Sequence, residues 1–443
     1  MRAGWGFTTS VALLLTACPD SDVGFPWCSV EKEPVTLEAA PTWWRDVRPI
    51  LGARCGGCHV EGGLAPFPLT TLDDARTWRD DIRSAVLSGT MPPWPPAACC
   101  NRYRFDRSLS AVEIATIDAW VQSGAPEGDP ADAPDAPPPP GGLSRVDLSV
   151  EMPVEHTPSP PSGKEHEYRC FLADWPLDRA THVTGVNVIP GTRAVVHHAI
   201  VFLAGPGDVD GLRREDGVDE APGFDCQGGI PQSHVQGSLA GWVPGVQAHD
   251  FPDGLGFRVE PGSKLVFGMH YKLAGGATTS DRSRVELKLD DEVRDQALWI
   301  TMVNPIWYNH QDGMLIPAGD SDVRYLYHAD PTPTYAPLST LRIHNAQLHM
   351  HHWGDRGVLG ILRQDGRQEC LLQVDQWDED WQGEYWLETP VDLRPGDQLY
   401  VECHWDNSEE NQPTVDGKRT APRDLHWGDE EEMCAGYFLV TRR

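Results

Sequence analysis

The chain has 443 residues, which at roughly 100–200 residues per domain is enough for about two to four domains. It carries 36 Lys and Arg against 66 Asp and Glu, and the formal net charge of −30 repels nucleic-acid phosphate and anionic membrane surfaces. A hydrophobic content of 40% with 17 Trp is typical of packed globular proteins. We therefore expect a folded multidomain protein that does not bind nucleic acid.

The first 18 residues have the layout of an export signal: a basic start, an apolar stretch and small residues before Cys18. Leu15-Thr16-Ala17-Cys18 resembles a bacterial lipobox, in which the cysteine is acylated and becomes the mature N-terminus. An ordinary signal peptide is the alternative. We expect a protein exported to an oxidising compartment and attached by lipid alone, in the periplasm or at the outer membrane or cell surface of a bacterium.

A haem-attachment motif follows in Cys55-Gly56-Gly57-Cys58-His59. Two thiols at this spacing add to the haem vinyl groups, and the adjacent histidine reaches the iron. Capping patterns at Thr71 and Ser110 predict helices beyond it. A zinc or redox C-x-x-C motif is the alternative.

Met91 lies on a Pro-flanked loop that resembles the axial-methionine loop of small cytochromes c, so we expect it to be the sixth iron ligand. A core-filling methionine is the alternative. Together these features predict a small all-α cytochrome c domain over residues 40–126 that holds one covalently bound haem c. Residues 127–145, rich in Pro, Asp, Ala and Gly, then predict an extended linker.

The remaining chain has short apolar or alternating runs separated by turn signals, a pattern that predicts antiparallel β-strands. About 300 residues of this pattern exceed one ordinary sandwich. We therefore expect two all-β sandwich domains, over residues 146–285 and 286–443.

Five histidines in this β-rich region have spacing that suits a metal. His197 and His198 are neighbours in an apolar run, so both can serve one metal only where the backbone bends. His270, in a second predicted strand, can complete a three-imidazole site suited to copper or zinc. His349 and His351 lie at i and i+2 and therefore on one face of a strand.

Met433 adds a thioether in the segment Glu432-Met433-Cys434. A soft sulfur ligand beside two imidazoles indicates copper, because zinc rarely uses methionine. Each of these residues alone is more typical of a structural role than of a metal ligand. The indication therefore depends on the whole set.

On these motifs, residues from about 146 to 443 resemble the copper type II, ascorbate-dependent monooxygenases, the family of peptidylglycine α-hydroxylating and dopamine β-monooxygenases. The resemblance implies two jelly-roll sandwiches that hold two copper ions. His197, His198 and His270 would hold an electron-transfer copper, and His349, His351 and Met433 would hold the catalytic copper.

The resemblance also implies two disulfides, Cys170–Cys226 and Cys403–Cys434, while Cys28, Cys99, Cys100 and Cys370 stay unassigned. Gln347 stands where peptidylglycine hydroxylase has an arginine that holds a carboxylate, which disfavours amidated-peptide chemistry. Tyr437 matches a substrate-side tyrosine of the family. Ala435 departs from the family's asparagine.

We therefore predict a copper monooxygenase that hydroxylates a C–H bond of a small-molecule or peptide substrate with O2. Its electrons would come from a periplasmic donor or an ascorbate-like reductant and pass through the haem of Cys55, Cys58, His59 and Met91. One alternative is a non-catalytic haem/copper electron-transfer or copper-binding lipoprotein, and another is an adhesion or carbohydrate-binding module. The H-x-H plus Met set favours the enzyme, because electron-transfer copper sites usually include a Cys thiolate.

Overall fold

The computed structural model describes residues 24–29, 35–63, 65–135, 142–160, 166–216, 221–226, 235–244, 246, 248–273, 279–310, 313–415, 418–428 and 431–443. The predicted export signal, with Cys18, and the centre of the predicted linker lie outside these residues. Among the helices of the described ranges, none has the length and apolar content to cross a membrane.

Helices are concentrated between residues 43 and 122. They are a π-helical turn at Trp43–Val47, α1 (Arg48–Arg54), α2 (Leu72–Thr77), α3 (Arg79–Ser88) and α4 (Ala111–Gln122). Both expected capping boxes form: the Thr71 hydroxyl accepts from the Asp74 amide at 3.1 Å, and the Ser110 hydroxyl accepts from the Glu113 amide at 3.2 Å. These caps begin α2 and α4 where the sequence pattern places them.

The helical segment has its own apolar core, in which Trp43, Leu51 and Trp120 are almost fully buried. Trp44 is only partly buried and packs against the edge of this core. The Trp120 indole donates to the carbonyl of Pro126 at 3.0 Å, which closes the unit near the predicted boundary.

The first β-rich part has two facing sheets and one short helix. Its elements are β1 (Leu148–Glu151), β2 (His166–Asp174), β3 (Thr181–Ile189), β4 (Val196–Ala204), α5 (Val209–Glu215), β5 (Phe224–Asp225), β6 (Gly237–Trp242), β7 (His249–Asp250), β8 (Leu255–Val259), β9 (Lys264–Lys272), β10 (Arg284–Asp290) and β11 (Asp295–Gln296). One sheet has the order β1-β10-β3-β8-β11, with β7 paired to β3, and the other has the order β5-β2-β9-β4-β6.

The second β-rich part is built in the same way. Its elements are β12 (Leu298–Met302), α6 (Pro305–Asn309), β13 (Val323–Ala329), α7 (Thr332–Tyr335), β14 (Leu341–His349), β15 (Gly354–Leu362), β16 (Gln368–Val374), β17 (Tyr385–Leu393), β18 (Gln398–Trp405), β19 (Thr414–Val415), β20 (Lys418–Arg419) and β21 (Ala435–Arg442). Its sheets have the orders β12-β21-β14-β17 and β13-β18-β15-β16, and β19 pairs with β20.

The predicted β-rich character of the chain after residue 146 is confirmed, while the assignment of the helical segment as a cytochrome c domain stays a prediction. Nearly all of the strand pairs in the described residues are antiparallel, β8–β11 being parallel. The expected boundary at residue 285 falls inside β10, which pairs with β3 of the first part through Asp290. The change from one part to the other comes after β11, because β11 still pairs with β8 whereas β12 pairs with β21. That both parts are jelly rolls stays a prediction.

Two segments that precede the β-rich parts in sequence pack on the second of them. Disulfides join Cys28 to Cys99 and Cys100 to Cys370, which assigns the four cysteines that the sequence leaves open. The Tyr103 hydroxyl donates to the carbonyl of Leu371 at 3.0 Å. Part of the region predicted as cytochrome is therefore fixed to the second β-rich part by covalent and polar contacts.

Candidate metal centres

Three histidines converge at one end of the sheet that contains β4 and β9. In the pairing of these strands, Val196 faces Tyr271 and His198 faces His270, so His197 is an extra residue in a β-bulge. The bulge provides the bend that two adjacent ligands require. One ring nitrogen from each of His197, His198 and His270 lies within 4.8 Å of the others.

The Nδ1 atoms are the nitrogens that face each other in this first site. His198 Nδ1 lies 3.4 Å from His197 Nδ1 and 3.1 Å from His270 Nδ1. Burial, with the charges of neighbouring groups, lowers the pKa of His197 to about 4 and that of His198 to about 3, and lowers the pKa of His270 as well. The three rings are therefore neutral near pH 7, which is the form that binds metals.

The opposite ring nitrogens of two of these histidines have polar partners. His270 Nε2 lies 2.8 Å from His166 Nδ1, and the two rings are stacked with centroids 5.0 Å apart. His197 Nε2 lies 3.8 Å from a carboxylate oxygen of Asp380, a residue of the second β-rich part. The His166 contact is short enough to fix the tautomer and orientation of the His270 ring, whereas the Asp380 carboxylate acts on His197 through its charge.

The second set of candidate ligands lies where β14 ends and β21 begins. His349 is the last residue of β14, and its ring centroid is 5.0 Å from that of His351. His349 Nδ1 lies 2.6 Å from the side-chain oxygen of Gln382, and His351 Nδ1 lies 3.2 Å from the carbonyl of Glu431. Since the amide oxygen of Gln382 accepts from Nδ1, the Nε2 of His349 is the nitrogen that can face a metal.

Glu432 fixes the backbone of this second site. Its buried carboxylate accepts from the amides of His351 at 3.0 Å, Trp353 at 2.7 Å and Met433 at 3.3 Å, and from the Trp405 indole at 2.7 Å. Burial raises the pKa of Glu432 to about 7. One carboxylate thus fixes the main chain of Met433 and of a candidate histidine relative to each other.

Both disulfides implied by the family resemblance are present. Cys170 pairs with Cys226 beside β2 and β5, and Cys403 of β18 pairs with Cys434, the residue after Met433. The second disulfide fixes the segment that carries the candidate thioether to the opposite sheet of the same part. It therefore limits the movement of Met433, which lies two residues before the start of β21.

The two residues expected on the substrate side are neighbours across β14 and β21. Gln347 pairs with Tyr437 in the register, and the Tyr437 ring lies 6.3 Å from the His349 ring. Burial raises the pKa of Tyr437 to about 12, so its hydroxyl is protonated at neutral pH. The side-chain nitrogen of Gln347 is buried and has no hydrogen-bond partner among the described residues.

The predicted haem ligands lie at the end of α1 and beyond α3. Among the described cysteines, Cys55 and Cys58 alone are outside disulfides, and burial raises the pKa of Cys55 to about 12 and that of Cys58 as well. His59 Nδ1 lies 3.0 Å from the carbonyl of Phe67, which leaves Nε2 for an iron. Met91 follows α3, where its amide donates to the carbonyl of Ala85 at 3.2 Å.

Sequence reasoning did not identify four residues that contact the candidate ligands. Two of them carried a weak signal: His166 lies on the same strand as Cys170, for which the family resemblance implies a disulfide, and Glu432 lies next to Met433. Asp380 and Gln382 belong to an acidic connection without a motif. Packing of the two β-rich parts brings Asp380 to His197, and the fold of the second part alone brings Gln382 to His349.

Comparison with known proteins points to one family. Residues 303–440 match the model of the copper type II ascorbate-dependent monooxygenase C-terminal domain. Dopamine beta-hydroxylase of Canis lupus familiaris is 25% identical over 285 residues, which are 61% of this chain and 42% of the relative. DBH-like monooxygenase protein 2 of Mus musculus is 25% identical over 297 residues, 62% of this chain and 43% of the relative.

This chain thus spans less than half the length of these relatives. Among solved structures, the major capsid protein P2 from Bacteriophage PM2 covers 67% of this chain and 98% of its own, at 8% identity and a TM-score of 0.24, which is too low to support a conclusion about fold. Residues 303–440 are thus similar to one domain of the copper type II ascorbate-dependent monooxygenases, and a longer part of the chain is similar to the two relatives at 25% identity.

Proposed function

We propose that this protein is an exported copper monooxygenase that hydroxylates a C–H bond of an organic substrate with O2. One observation carries the proposal: three neutral imidazoles present their Nδ1 atoms to one another in a chain whose residues 303–440 match a copper monooxygenase domain. Three imidazoles suit copper. The four disulfides of the described residues support export to an oxidising compartment.

In this proposal the two sets of ligands have different roles. His197, His198 and His270 hold a copper that transfers electrons, and His349, His351 and Met433 hold the copper at which O2 reacts. When bound, the second copper would supply one of the two electrons that hydroxylation with O2 consumes and the first copper would supply the other, and a thioether ligand favours the Cu(I) state of the second copper. The protein's contribution is to hold these side chains on rigid strands, with Glu432 fixing the main chain at two of them.

The substrate, in this proposal, lies on the face of β14 that carries Gln347 and His349. Residues at i and i+2 of a strand share one face, and Tyr437 is the register neighbour of Gln347. The buried side-chain nitrogen of Gln347 supplies a neutral hydrogen-bond donor next to the second site. This favours a substrate with a neutral acceptor oxygen over one that needs a cationic partner for a carboxylate.

A haem on Cys55 and Cys58, with His59 and Met91 as iron ligands, would relay electrons from a periplasmic donor to the first site. Packing supports this part of the proposal in two places. The Trp94 ring, three residues after Met91, lies 5.5 Å from the Tyr385 ring of the second β-rich part. Arg193, just before β4, lies close enough to Cys58 for its charge to oppose the effect of burial on the thiol pKa.

The deciding experiment measures copper and haem in the purified, signal-free protein after copper loading and dialysis. We expect about two coppers per haem, falling to about one in a His351→Ala, Met433→Ala double variant. Two coppers per haem in both the wild type and the variant would show that His351 and Met433 are not copper ligands. Haem without retained copper would refute the monooxygenase proposal.

If copper is retained, O2 consumption with ascorbate and a panel of acceptor-bearing organic substrates distinguishes the enzyme from a non-catalytic electron-transfer protein. The enzyme couples O2 use to a hydroxylated product in one-to-one ratio, with the second oxygen atom leaving as water. A protein that cycles its copper but gives no hydroxylated product supports the electron-transfer alternative.

A further inference from the structure

One short connection of the second β-rich part contacts candidate ligands of both metal sites. It runs from Asp378 to Gln382, between β16 and β17, and we call it the bridging segment. A carboxylate oxygen of Asp380 lies 3.8 Å from His197 Nε2. Two residues later, the side-chain oxygen of Gln382 lies 2.6 Å from His349 Nδ1.

Local hydrogen bonds fix the conformation of the bridging segment. The Asp378 carboxylate accepts from the amide of Asp380 at 2.9 Å and so caps the 3-10 turn at Glu379–Trp381. The side-chain nitrogen of Gln382 donates to the carbonyl of Glu379 at 3.1 Å. Because this bond occupies the nitrogen, the oxygen of the same amide points to His349.

The bridging segment is also attached to the first β-rich part. Lys272, the last residue of β9, donates to the carboxylate of Asp380 at 3.2 Å. The Trp381 ring has its centroid 6.2 Å from that of His197. Asp380 thus lies between a cation and a candidate ligand that both belong to the other half of the molecule.

In each site the bridging segment contacts the ring nitrogen that lies away from the metal-facing atom. The Nδ1 atoms face each other in the first site, so Nε2 of His197 is the outer nitrogen. In the second site Nδ1 of His349 is the outer nitrogen. A hydrogen-bond acceptor at the outer nitrogen, as Gln382 is for His349, holds the ring tautomer and orientation and strengthens the ligand. Asp380 lies beyond hydrogen-bond length of His197 and acts on this ring through its negative charge.

We propose that Asp380 and Gln382 are positioning residues for the two copper sites, and that the bridging segment couples the sites. The proposal rests on the proposed function, since it requires copper at both. Three consecutive residues, Asp380, Trp381 and Gln382, connect the outer nitrogen of a ligand in one site to that of a ligand in the other. Any shift of the segment at one end therefore displaces the partner of a ligand at the other end.

The test measures copper affinity by chelator competition, together with the copper EPR spectrum, in the full chain. Each site is isolated first: a His349→Ala, His351→Ala variant retains the first site, and a His197→Ala, His198→Ala variant retains the second. We expect Asp380→Ala to weaken the first site and Gln382→Ala to weaken the second, each by about 10- to 100-fold with a changed EPR spectrum. Gln382→Glu, which keeps an acceptor oxygen, should restore most of the affinity of the second site.

Coupling is measured in the chain with both ligand sets intact. We expect Asp380→Ala to change the affinity and EPR spectrum of the second site as well, so that its effect and that of Gln382→Ala are not additive. Additive effects would overturn the coupling. Glu379→Gln is the matched control, because its side chain lies on the same turn and contacts His352 instead of a candidate ligand.

The outcomes separate this inference from the proposed function. If the wild-type chain retains no copper, both are overturned. If the wild-type chain loads both sites and the Asp380 and Gln382 variants bind copper like Glu379→Gln, only the positioning role is overturned. A thermal melt of each variant excludes loss of fold as the cause of weaker binding.

Discussion

At the scale of single residues, the candidate sites differ in which ring nitrogen faces inward. In the first site the Nδ1 atoms of three histidines meet, whereas in the second site Nδ1 of His349 is held by Gln382 and Nε2 is left for a metal. The hydrogen-bond partner on the other nitrogen decides this choice. Outer partners therefore define each site as much as the histidines do.

We predict that His166 is such an outer partner for the first site. His166→Ala removes the contact of 2.8 Å to His270 Nε2, so copper affinity at the first site should fall about 10- to 100-fold. The measurement is chelator competition in a chain whose second site is disabled by His349→Ala and His351→Ala. His310→Ala, a change at an exposed histidine, should leave the affinity unchanged. Equal affinity of the His166 variant and the wild type would contradict the prediction.

At the scale of elements, irregular pieces of the sheets set up the chemistry. The bulge in β4 inserts His197 between the paired residues Val196 and His198 and brings adjacent histidines into one site. At the second site the Glu432 carboxylate accepts hydrogen bonds from three main-chain amides that lie outside the strands. Regular strands alone would place neighbouring side chains on opposite faces.

β18 carries a buried acid that predicts how stability depends on pH. Burial would raise the pKa of Glu402, but hydrogen bonds from His404, Tyr400 and Arg324 outweigh it and lower the pKa to about 2, from an ordinary 4.5. Because the pKa is lower in the folded state, the carboxylate stabilises the fold fully above about pH 4.5. This contribution, about 3 kcal/mol, is lost as the pH falls from about 4.5 toward 2.

Thermal melts of the wild type and Glu402→Gln over pH 2 to 6 test this prediction. The variant should be less stable at pH 6, and its melting temperature should fall less steeply on acidification. Phe25 provides a second readout, since its amide donates to Glu402 at 3.3 Å and residues 24–29 should become sensitive to protease as this carboxylate is protonated. Parallel pH profiles for the two proteins would be inconsistent with the role assigned to Glu402.

At the scale of the whole molecule, the second β-rich part is where the other segments meet. Residues 24–29 and the segment around Tyr103 pack on it. The Cys100–Cys370 disulfide joins the second β-rich part to the segment before β1, and the Cys28–Cys99 disulfide joins residues 24–29 to that same segment. The bridging segment extends from it to His197 of the first β-rich part. The arrangement of the candidate redox groups therefore depends on contacts between parts that lie far apart in sequence.

Copper should stabilise this assembly, because a ligand that binds the folded state raises the free energy of unfolding. At free copper 100 times the dissociation constant the gain is about 2.7 kcal/mol per site. We expect the melting temperature of the metal-free chain to rise with copper, and to rise less in the His197→Ala, His198→Ala variant. A melting temperature that does not respond to copper would contradict the assignment of both sites.

The sequence by itself determined the local and periodic features. The Thr71 and Ser110 caps, the β-rich character after residue 146 and the close spacing of His197 with His198 and of His349 with His351 follow from short-range patterns, since capping and strand alternation act over a few residues. The need for a bend at His197 also follows, because neighbouring side chains of a regular strand point apart. The grouping of these histidines with His270 and with Met433 is what the family resemblance implies.

Only the tertiary structure decided which distant residues complete each site. His166 reaches His270 because β2 pairs with β9, and Asp380 reaches His197 because the two β-rich parts pack together. The disulfides of Cys28 and Cys370, and the continuation of the first part through β11, likewise depend on strand pairing and on packing between segments. No short-range pattern records such contacts, since they depend on which surfaces of the folded parts meet.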